Sequence, residues 1–327
     1  MGSLALGLML GWARDVAIAD EPRSPISQTS SSTSDRSIQP EYIEAIAERT
    51  TVVIAQDLQA GEVEAGTAFE PGSGVIVARA RNIYYVATNL HVVQSTNVPY
   101  GIRTYDGKIH VVTKYDNDYG IQRLGEQLGN TIQGFDLAIV TFKGDRDYPL
   151  VGINLNTAIT PGAATFVSGW PQSPPNQPMN QRFSPGEIVT VQPPDPDGGY
   201  GLFYTSATAV GMSGGPVFNN QGQVIGIHGR GEGGRSNQGI QVDYLVRQAD
   251  LAKQLSELLR PLTFQTQMPD AATLARWVNN QPLTATRFDN PEAAFREAFR
   301  QAALRYCSGS RVDTGDIEED CDVMPTR

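Results

Sequence analysis

The chain has 327 residues and a formal net charge of −10 at pH 7, from 25 Lys and Arg against 35 Asp and Glu. This acidic balance argues against nucleic acid as the main partner, because a phosphate backbone is bound through clustered Lys and Arg side chains. The length allows one large domain or two ordinary ones. The 33 glycines and 21 prolines are typical of an all-β protein with many turns.

The N-terminal region has the pattern of an export signal followed by a linker. An apolar run over residues 4–13 is too short to span a bilayer, and it precedes the tripeptide Ala-Ile-Ala at residues 17–19, which resembles a signal-peptidase cleavage site. We expect a signal peptide over residues 1–19. The alternative is an amphiphilic or artefactual start, because no basic residue precedes the run. Residues 20–40, rich in Ser, Thr and Pro, predict a flexible linker.

The middle of the chain alternates apolar runs with turn residues, which predicts a mainly β core from about residue 50 to residue 250. A short helix is predicted before the first strand, from Pro40 through Glu48. The predicted strands contain residues 52–55, 74–77, 111–112, 137–140, 165–167, 188–191 and 224–227.

His91 is the most informative of the three histidines. The β-branched and aromatic residues before it predict a strand that ends near Asn89, so His91 lies just beyond a strand end, where it is held firmly and still reaches a cleft. An imidazole in such a place suits a general base, and a structural role is the alternative. His110 lies inside a predicted strand without chemical company, and we interpret it as structural.

Asp136 opens the apolar run of residues 137–140, where its carboxylate is expected to be partly buried. A buried carboxylate must be hydrogen-bonded or paired. The Nδ1–H of a histidine would satisfy it and would fix the tautomer of the ring. The alternative is an ordinary turn residue at the start of a strand.

Ser213 lies in the hexapeptide Gly-Met-Ser-Gly-Gly-Pro of residues 211–216. Glycine allows positive φ and a close approach of the backbone, so the turn presents the serine hydroxyl outward and leaves neighbouring N–H groups free for a ligand. Those are the two requirements of an acyl-transfer nucleophile, and an ordinary turn is the alternative.

The segments around His91, Asp136 and Ser213, in this order along the chain, resemble the bacterial trypsin-like serine peptidases of the chymotrypsin fold. The resemblance covers about residues 50–250 and implies two antiparallel β-barrels of the six-stranded type. It implies that Ser213 is the nucleophile, that His91 is the base and acid, and that Asp136 orients the imidazole. It also implies an oxyanion hole formed by the N–H groups of Gly211 and Ser213.

Residues on either side of the nucleophile bear on the residue that is cleaved, the P1 residue. In this fold the preceding segment lines the P1 pocket, and the position that carries the acid of trypsin is Ala207 here, which disfavours basic P1 residues. Thr208 and His228 resemble the pair that reads glutamate in the bacterial glutamyl endopeptidases, since a hydroxyl and an imidazole both hydrogen-bond a carboxylate. Arg230 is an alternative source of positive charge, and a structural wall residue is the alternative role for His228.

The C-terminal residues 263–327 predict a helical extension with an acidic tail. One short helix is expected around residues 270–279, where it would bury Leu274, Trp277 and Val278, and a second helix is expected after residue 290. A small cap packed on the barrels is the expected role of this extension, and a partner-binding domain is the alternative.

The two cysteines, Cys307 and Cys321, lie in the C-terminal extension. A disulfide between them fits an exported protein, and two unrelated thiols are the alternative.

We therefore expect residues 41–262 to form a serine peptidase domain with two β-barrels and a closing helix, in a bacterial protein that is secreted or periplasmic. The expected activity is hydrolysis of peptide bonds in protein or peptide substrates through an acyl-enzyme, with Glu or Asp at P1 as the sharper hypothesis. The alternatives are an HtrA-like protease-chaperone without PDZ modules and a non-catalytic binding protein on the same fold. No cofactor, no metal and no stable membrane insertion are expected.

Overall fold

The structure is a computed structural model that describes residues 37–112, 114–115, 118–155, 158–232, 236–280 and 286–287. The expected signal peptide, most of the linker, the helix predicted after residue 290, and Cys307 and Cys321 lie outside the described residues. Within these ranges, no helix is long and apolar enough to cross a bilayer.

The first half of the described chain forms one antiparallel sheet of seven strands in the order β5-β4-β1-β2-β3-β9-β8. Its strands are β1 (Thr51–Gln56), β2 (Phe69–Ala80), β3 (Ile83–Thr88), β4 (Tyr100–Arg103), β5 (Ile109–Val111), β8 (Ile121–Leu128) and β9 (Thr131–Lys143), and a separate small hairpin is formed by β6 (Lys114–Tyr115) and β7 (Asp118–Tyr119). An isolated bridge between Val112 and Phe142 links strand β9 to the end of β5. Apart from this single bridge, β5 and β8 are the edge strands of the sheet, so the first of the two expected barrels is a half-barrel.

The second half forms a closed barrel of six strands, because β10 pairs with β13 on one side and with β11 on the other. The ring runs β10-β13-β14-β15-β12-β11, and a short parallel pair adds β16 to the outside of β11. These strands are β10 (Ala164–Gly169), β11 (Arg182–Val191), β12 (Leu202–Tyr204), β13 (Pro216–Asn219), β14 (Val224–Glu232), β15 (Ser236–Gln241) and β16 (Thr286–Arg287). The fold is mainly β and chymotrypsin-like, as expected.

The helices lie around the sheets: α1 (Pro40–Thr50), α2 (Glu62–Ala65), α3 (Val242–Ala252) and α4 (Ala271–Asn280). Helix α4 packs against α1, where the Arg49 guanidinium lies 5.0 Å from the centre of the Trp277 ring. Leu274 is buried as expected, whereas Trp277 and Val278 are half-buried. The helix predicted over residues 270–279 is confirmed, and its role as a cap stays a prediction.

A hydrophobic core joins the two sheets and fixes the site between them. Val75 of β2 and Ile139 of β9 pack in one cluster with Phe166, Phe218 and Ile227 of the closed barrel. Burying a side chain of this size contributes about 1.5–3 kcal/mol. The two sheets are thereby held at a fixed distance, which sets how residues of one sheet face residues of the other.

All seven predicted strands are present, but β9 starts earlier than the sequence suggested. It begins at Thr131, after a two-residue turn at Gly129 and Asn130, so Asp136 lies inside the strand rather than at its head. Gly129 has a φ of 61°, which suits the tight hairpin turns that join neighbouring strands. The added length pairs β9 with β8 and places Asp136 among buried neighbours.

Candidate active site

His91 lies in a single 3₁₀ turn, His91–Val93, that begins two residues after the end of β3 at Thr88. Its backbone N–H donates to Asp136 Oδ1 at 2.9 Å, and its Nδ1 lies 2.6 Å from Asp136 Oδ2. The Asn89 side-chain amide donates to the Asp136 backbone carbonyl at 2.7 Å. The contact predicted between His91 and Asp136 is present, and it fixes the position of the ring. It also fixes the tautomer, because an ionised carboxylate can only accept a hydrogen bond and Nδ1 must therefore carry the hydrogen.

Asp136 is 1% exposed. Burial acts to raise the pKa of its carboxyl, but the hydrogen bonds from His91 and Tyr200 outweigh burial, and the pKa lies below its usual range. The Tyr200 hydroxyl donates to Asp136 Oδ2 at 2.5 Å, on the same oxygen that faces His91. Burial also raises the pKa of Tyr200, so its hydroxyl keeps its proton and remains a donor. The carboxylate is therefore ionised and fully hydrogen-bonded at neutral pH.

Tyr200 has a support of its own that the sequence did not reveal. The Arg230 guanidinium lies 4.3 Å from the centre of the Tyr200 ring and donates to Asp197 Oδ2 at 2.9 Å. A Cβ added at Gly229 would lie 2.3 Å from the Tyr200 hydroxyl oxygen, so this position requires glycine. The only sequence signal for Tyr200 was its place in a glycine-rich segment, which is too common to indicate a role.

The Ser213 turn contains glycines whose backbone angles and close contacts disfavour any other residue. Gly211 and Gly214 have φ angles of 94° and 87°. A Cβ added at Gly214 would lie 2.1 Å from the Ser73 carbonyl oxygen of β2. Ser73 also donates twice to the turn, from its N–H to the Ser213 carbonyl and from its Oγ to the Gly211 carbonyl, both at 2.8 Å. A residue of the first sheet thus clamps a turn of the second.

The N–H groups of Gly211 and Ser213 are directed by the carbonyls that precede them. The Val210 carbonyl accepts from Gln172 N–H at 2.8 Å, and the Met212 carbonyl accepts from Gly215 N–H at 3.0 Å. In a planar trans peptide the N–H points away from the carbonyl of the same unit. Both N–H groups therefore point away from these bonds, and within the described part of the chain neither donates to another backbone carbonyl.

His91, Gly211 and Ser213 line one cleft of about 620 Å³. The Ser213 hydroxyl donates to the Gly229 carbonyl at 3.2 Å. This distance exceeds the usual 2.7–2.8 Å of an O–H···O bond, so the contact is weak and the hydroxyl can turn to another acceptor. The structure brings the predicted serine, histidine and aspartate to the junction of the two sheets.

Thr208 and His228 lie beside this junction, in the closed barrel. The Thr208 hydroxyl donates to Asn237 Oδ1 at 2.8 Å. His228 is 2% exposed, its Nδ1 lies 2.6 Å from the Tyr204 hydroxyl oxygen, and burial lowers the pKa of its imidazole to about 3. Its ring is therefore neutral at pH 7. Arg230, the other positive group considered for this pocket, is engaged instead with Tyr200 and Asp197.

His110 lies in β5, away from this junction. Its Nε2 is 2.9 Å from the Tyr148 hydroxyl oxygen and its Nδ1 is 3.1 Å from the Lys143 carbonyl oxygen. The ring is buried against Phe142, with ring centres 4.5 Å apart. These packing and hydrogen-bonding contacts agree with a structural role.

An imidazole oriented by a buried carboxylate, a serine in a glycine turn and two directed N–H groups, all between two antiparallel sheets, are the attributes of the chymotrypsin-like serine peptidases. A family model described as a trypsin-like peptidase domain matches residues 72–227. Residues 72–227 are therefore similar to the trypsin-like peptidase domain, in agreement with the fold and with the geometry of the site.

Two relatives with curated names are both glutamyl endopeptidases. That of Staphylococcus epidermidis is 30% identical over 186 residues, which is 54% of this chain and 60% of the relative. That of Staphylococcus aureus strain MW2 is 27% identical over 194 residues, 57% of this chain and 54% of the relative. The chain thus matches less than two thirds of the length of either. A solved structure of a serine endoprotease from Yersinia pestis covers 68% of both chains with a TM-score of 0.47 and 20% identity.

Proposed function

We propose that the protein is a serine endopeptidase that hydrolyses peptide bonds through an acyl-enzyme. The observation that carries this proposal is the double contact of His91 with the buried Asp136, next to a serine in the same cleft. In this mechanism the Ser213 hydroxyl turns from Gly229 toward His91. His91 takes its proton while the oxygen attacks the scissile carbonyl, and later gives that proton to the leaving amine.

The N–H groups of Gly211 and Ser213 are proposed to receive the negative oxygen of the tetrahedral intermediate. Their direction is set by the Val210 and Met212 carbonyls, which are already bonded elsewhere. Such preorganised donors cost no rearrangement during the reaction, and losing one typically reduces kcat by about 10²–10³. Asp136 stays ionised throughout and stabilises the positive charge that forms on the imidazole.

The activity is tested by labelling with a fluorophosphonate probe, which reacts with an activated serine. We expect labelling of the protein, loss of labelling in Ser213→Ala, and a fall in kcat of about 10⁶, as in other serine peptidases that lose the nucleophile. Ser173→Ala is the matched control, because Ser173 is a partly exposed residue that contacts the Pro178 carbonyl. A labelled Ser213→Ala variant would contradict the assignment, and an unlabelled natural protein would favour a binding protein on the same fold.

We further propose that the enzyme prefers Glu, and to a lesser extent Asp, at P1. The named relatives are glutamyl endopeptidases, and the P1 wall offers Ala207, Thr208 and His228 without a carboxylate. The Tyr204 hydroxyl contacts His228 Nδ1 and also donates to the Gln238 carbonyl at 3.2 Å. The negative charge of a P1 carboxylate would stabilise the positive charge of a protonated His228 imidazole, whose Nδ1–H would donate to the Tyr204 hydroxyl oxygen. The ring would therefore gain a proton when the substrate binds.

A peptide library tests this specificity. We expect cleavage after Glu, and we expect Thr208→Val to lower kcat/KM for Glu substrates by about tenfold while leaving Gln substrates nearly unchanged, because a hydrogen bond to a charged group is worth about 1.5–3 kcal/mol. Because the proposed pair needs a proton, the preference for Glu over Gln should fall as pH rises. A dominant basic or large aromatic P1 residue would contradict the proposal.

A further inference from the structure

Thr208 and His228 do not line the cleft that contains Ser213. One wall consists of residues 66–71, a second contains Val92 and Gln94 beside His91, and the third is formed by Gln172, Pro175 and Val210. In the proposed mechanism His91 passes its proton to the leaving amine. The leaving part of the substrate must therefore lie over His91, which places it in this cleft.

The lining has an unusual combination of apolar surface and one carboxylate. Phe69 is 63% exposed and Val210 is 53% exposed, although both are large apolar side chains. Glu70 is the only Asp or Glu among the residues that line the cleft. Long basic side chains match such a surface, because their methylene stems pack on apolar groups while the charged head reaches an anion.

The Glu70 carboxylate is held in position by a hydrogen bond from the side chain of Gln56. Gln56, 9% exposed, donates from its Nε2 to Glu70 Oε2 at 2.5 Å and to Ser95 Oγ at 3.2 Å. Glu70 has a φ of 45°, a left-handed conformation that a non-glycine residue adopts at a cost of about 1–3 kcal/mol. Strained residues of this kind cluster at ligand-binding sites.

The charge of Glu70 remains available to a ligand. In the described ranges no Lys, Arg or His nitrogen lies within 4.0 Å of its carboxylate oxygens. Arg123 donates to the Val93 and Ser95 carbonyls and does not line the cleft. A substrate cation would therefore be the ion-pair partner of Glu70 in this cleft.

We propose that this cleft selects substrates with Arg or Lys within the first two residues after the scissile bond, with the stem on Phe69 and the head on Glu70. The proposal rests on the proposed peptidase function and deepens it. It adds a second charge requirement, opposite in sign to the one at P1: an acidic residue before the cleaved bond and a basic residue after it.

Acyl transfer measures this preference separately from the P1 preference. The acyl-enzyme is formed from a peptide ester and offered the amides Ala-Arg, Arg-Ala, Ala-Glu and Glu-Ala. The amine attacks the ester carbonyl, the bond from that carbon to Ser213 Oγ breaks, and the amine proton returns to Ser213 through His91. We expect one of the Arg amides to be acylated about tenfold faster than its Glu counterpart, since attraction and repulsion each contribute a few-fold at an exposed site.

Two variants test whether the Glu70 carboxylate causes the preference for Arg amides. Glu70→Gln should reduce the Arg-to-Glu ratio to about twofold or less. Glu126→Gln, which removes an exposed carboxylate of β8 outside the cleft, should leave the ratio unchanged. Equal transfer to Arg and Glu amides in the natural protein would overturn the inference while leaving the peptidase intact. Absence of any acyl-enzyme would overturn the proposed function itself.

Discussion

The two sheets hold their parts of the candidate site by different physical means. The first sheet holds His91 and Asp136 through side-chain hydrogen bonds, with donors from His91 and Tyr200 on one buried carboxylate. The closed barrel holds Ser213 through backbone geometry, with glycines at positive φ packed onto Ser73. The first arrangement is electrostatic and the second is steric, so substitutions in the two regions should differ in their effects on activity and on the free energy of unfolding.

Asp136→Asn tests the electrostatic side most severely. We expect kcat to fall by about 10⁴ with the fold retained, because an amide of the same shape cannot fix the tautomer or stabilise the imidazolium. The measurement is kcat on a chromogenic peptide, with circular dichroism to check folding. A variant that keeps more than a tenth of the activity would show that Asp136 does not orient the base.

Gly214→Ala tests the steric side. We expect a fall in kcat of about 10² and a loss of unfolding free energy on the order of 1–3 kcal/mol, because the added methyl would lie 2.1 Å from the Ser73 carbonyl oxygen and would displace Ser213. Gly61→Ala is the matched control, since Gly61 has nearly the same φ, 88°, with nothing within 4 Å of an added Cβ. Equal losses in both variants would attribute the effect to φ alone and remove the clamp from the argument.

Tyr200→Phe tests whether the second donor on Asp136 influences the base. We expect kcat/KM to fall about tenfold, the size of a hydrogen bond to a charged group. The acid limb of its pH profile should move to higher pH, because the Tyr200 hydrogen bond helps to hold the pKa of Asp136 below its usual range and its loss raises that pKa. Tyr148→Phe, a buried tyrosine of the first half bonded to His110, should leave that limb in place. An unmoved limb in Tyr200→Phe would make Tyr200 a packing residue only.

In the absence of substrate, His228 should influence the pH dependence of the free energy of unfolding. The folded pKa of about 3 lies below the usual 6.5, so the unfolded chain takes up a proton below pH 6.5 that the folded chain refuses until about pH 3. His228 therefore lowers stability as pH falls through this window, by at most about 1.4 kcal/mol per pH unit. Denaturant unfolding of His228→Gln between pH 4 and 7.5 should show a shallower slope than the natural protein, while His110 is the same in both. Equal slopes would contradict the buried, neutral assignment.

Local patterns in the sequence were enough to predict several strands and the candidate catalytic residues. The apolar runs correctly predicted seven of the strands, because a half-buried strand imposes its pattern on consecutive residues. His91 after a strand end, Asp136 beside an apolar run and Ser213 among glycines were each visible in a few neighbouring residues. The sequence determined which groups are available and in what order along the chain.

Only the tertiary structure decided how these groups are supported. Tyr200 lies 64 residues from Asp136, and Ser73 lies 138 residues from Gly211, yet each makes a hydrogen bond that directs the other. Such pairs cannot be recognised in the sequence, because the distance between their side chains depends on how the two sheets pack and not on their spacing along the chain. The same packing closed one barrel, left the other open, and placed Glu70 in the cleft where the leaving group is proposed to lie.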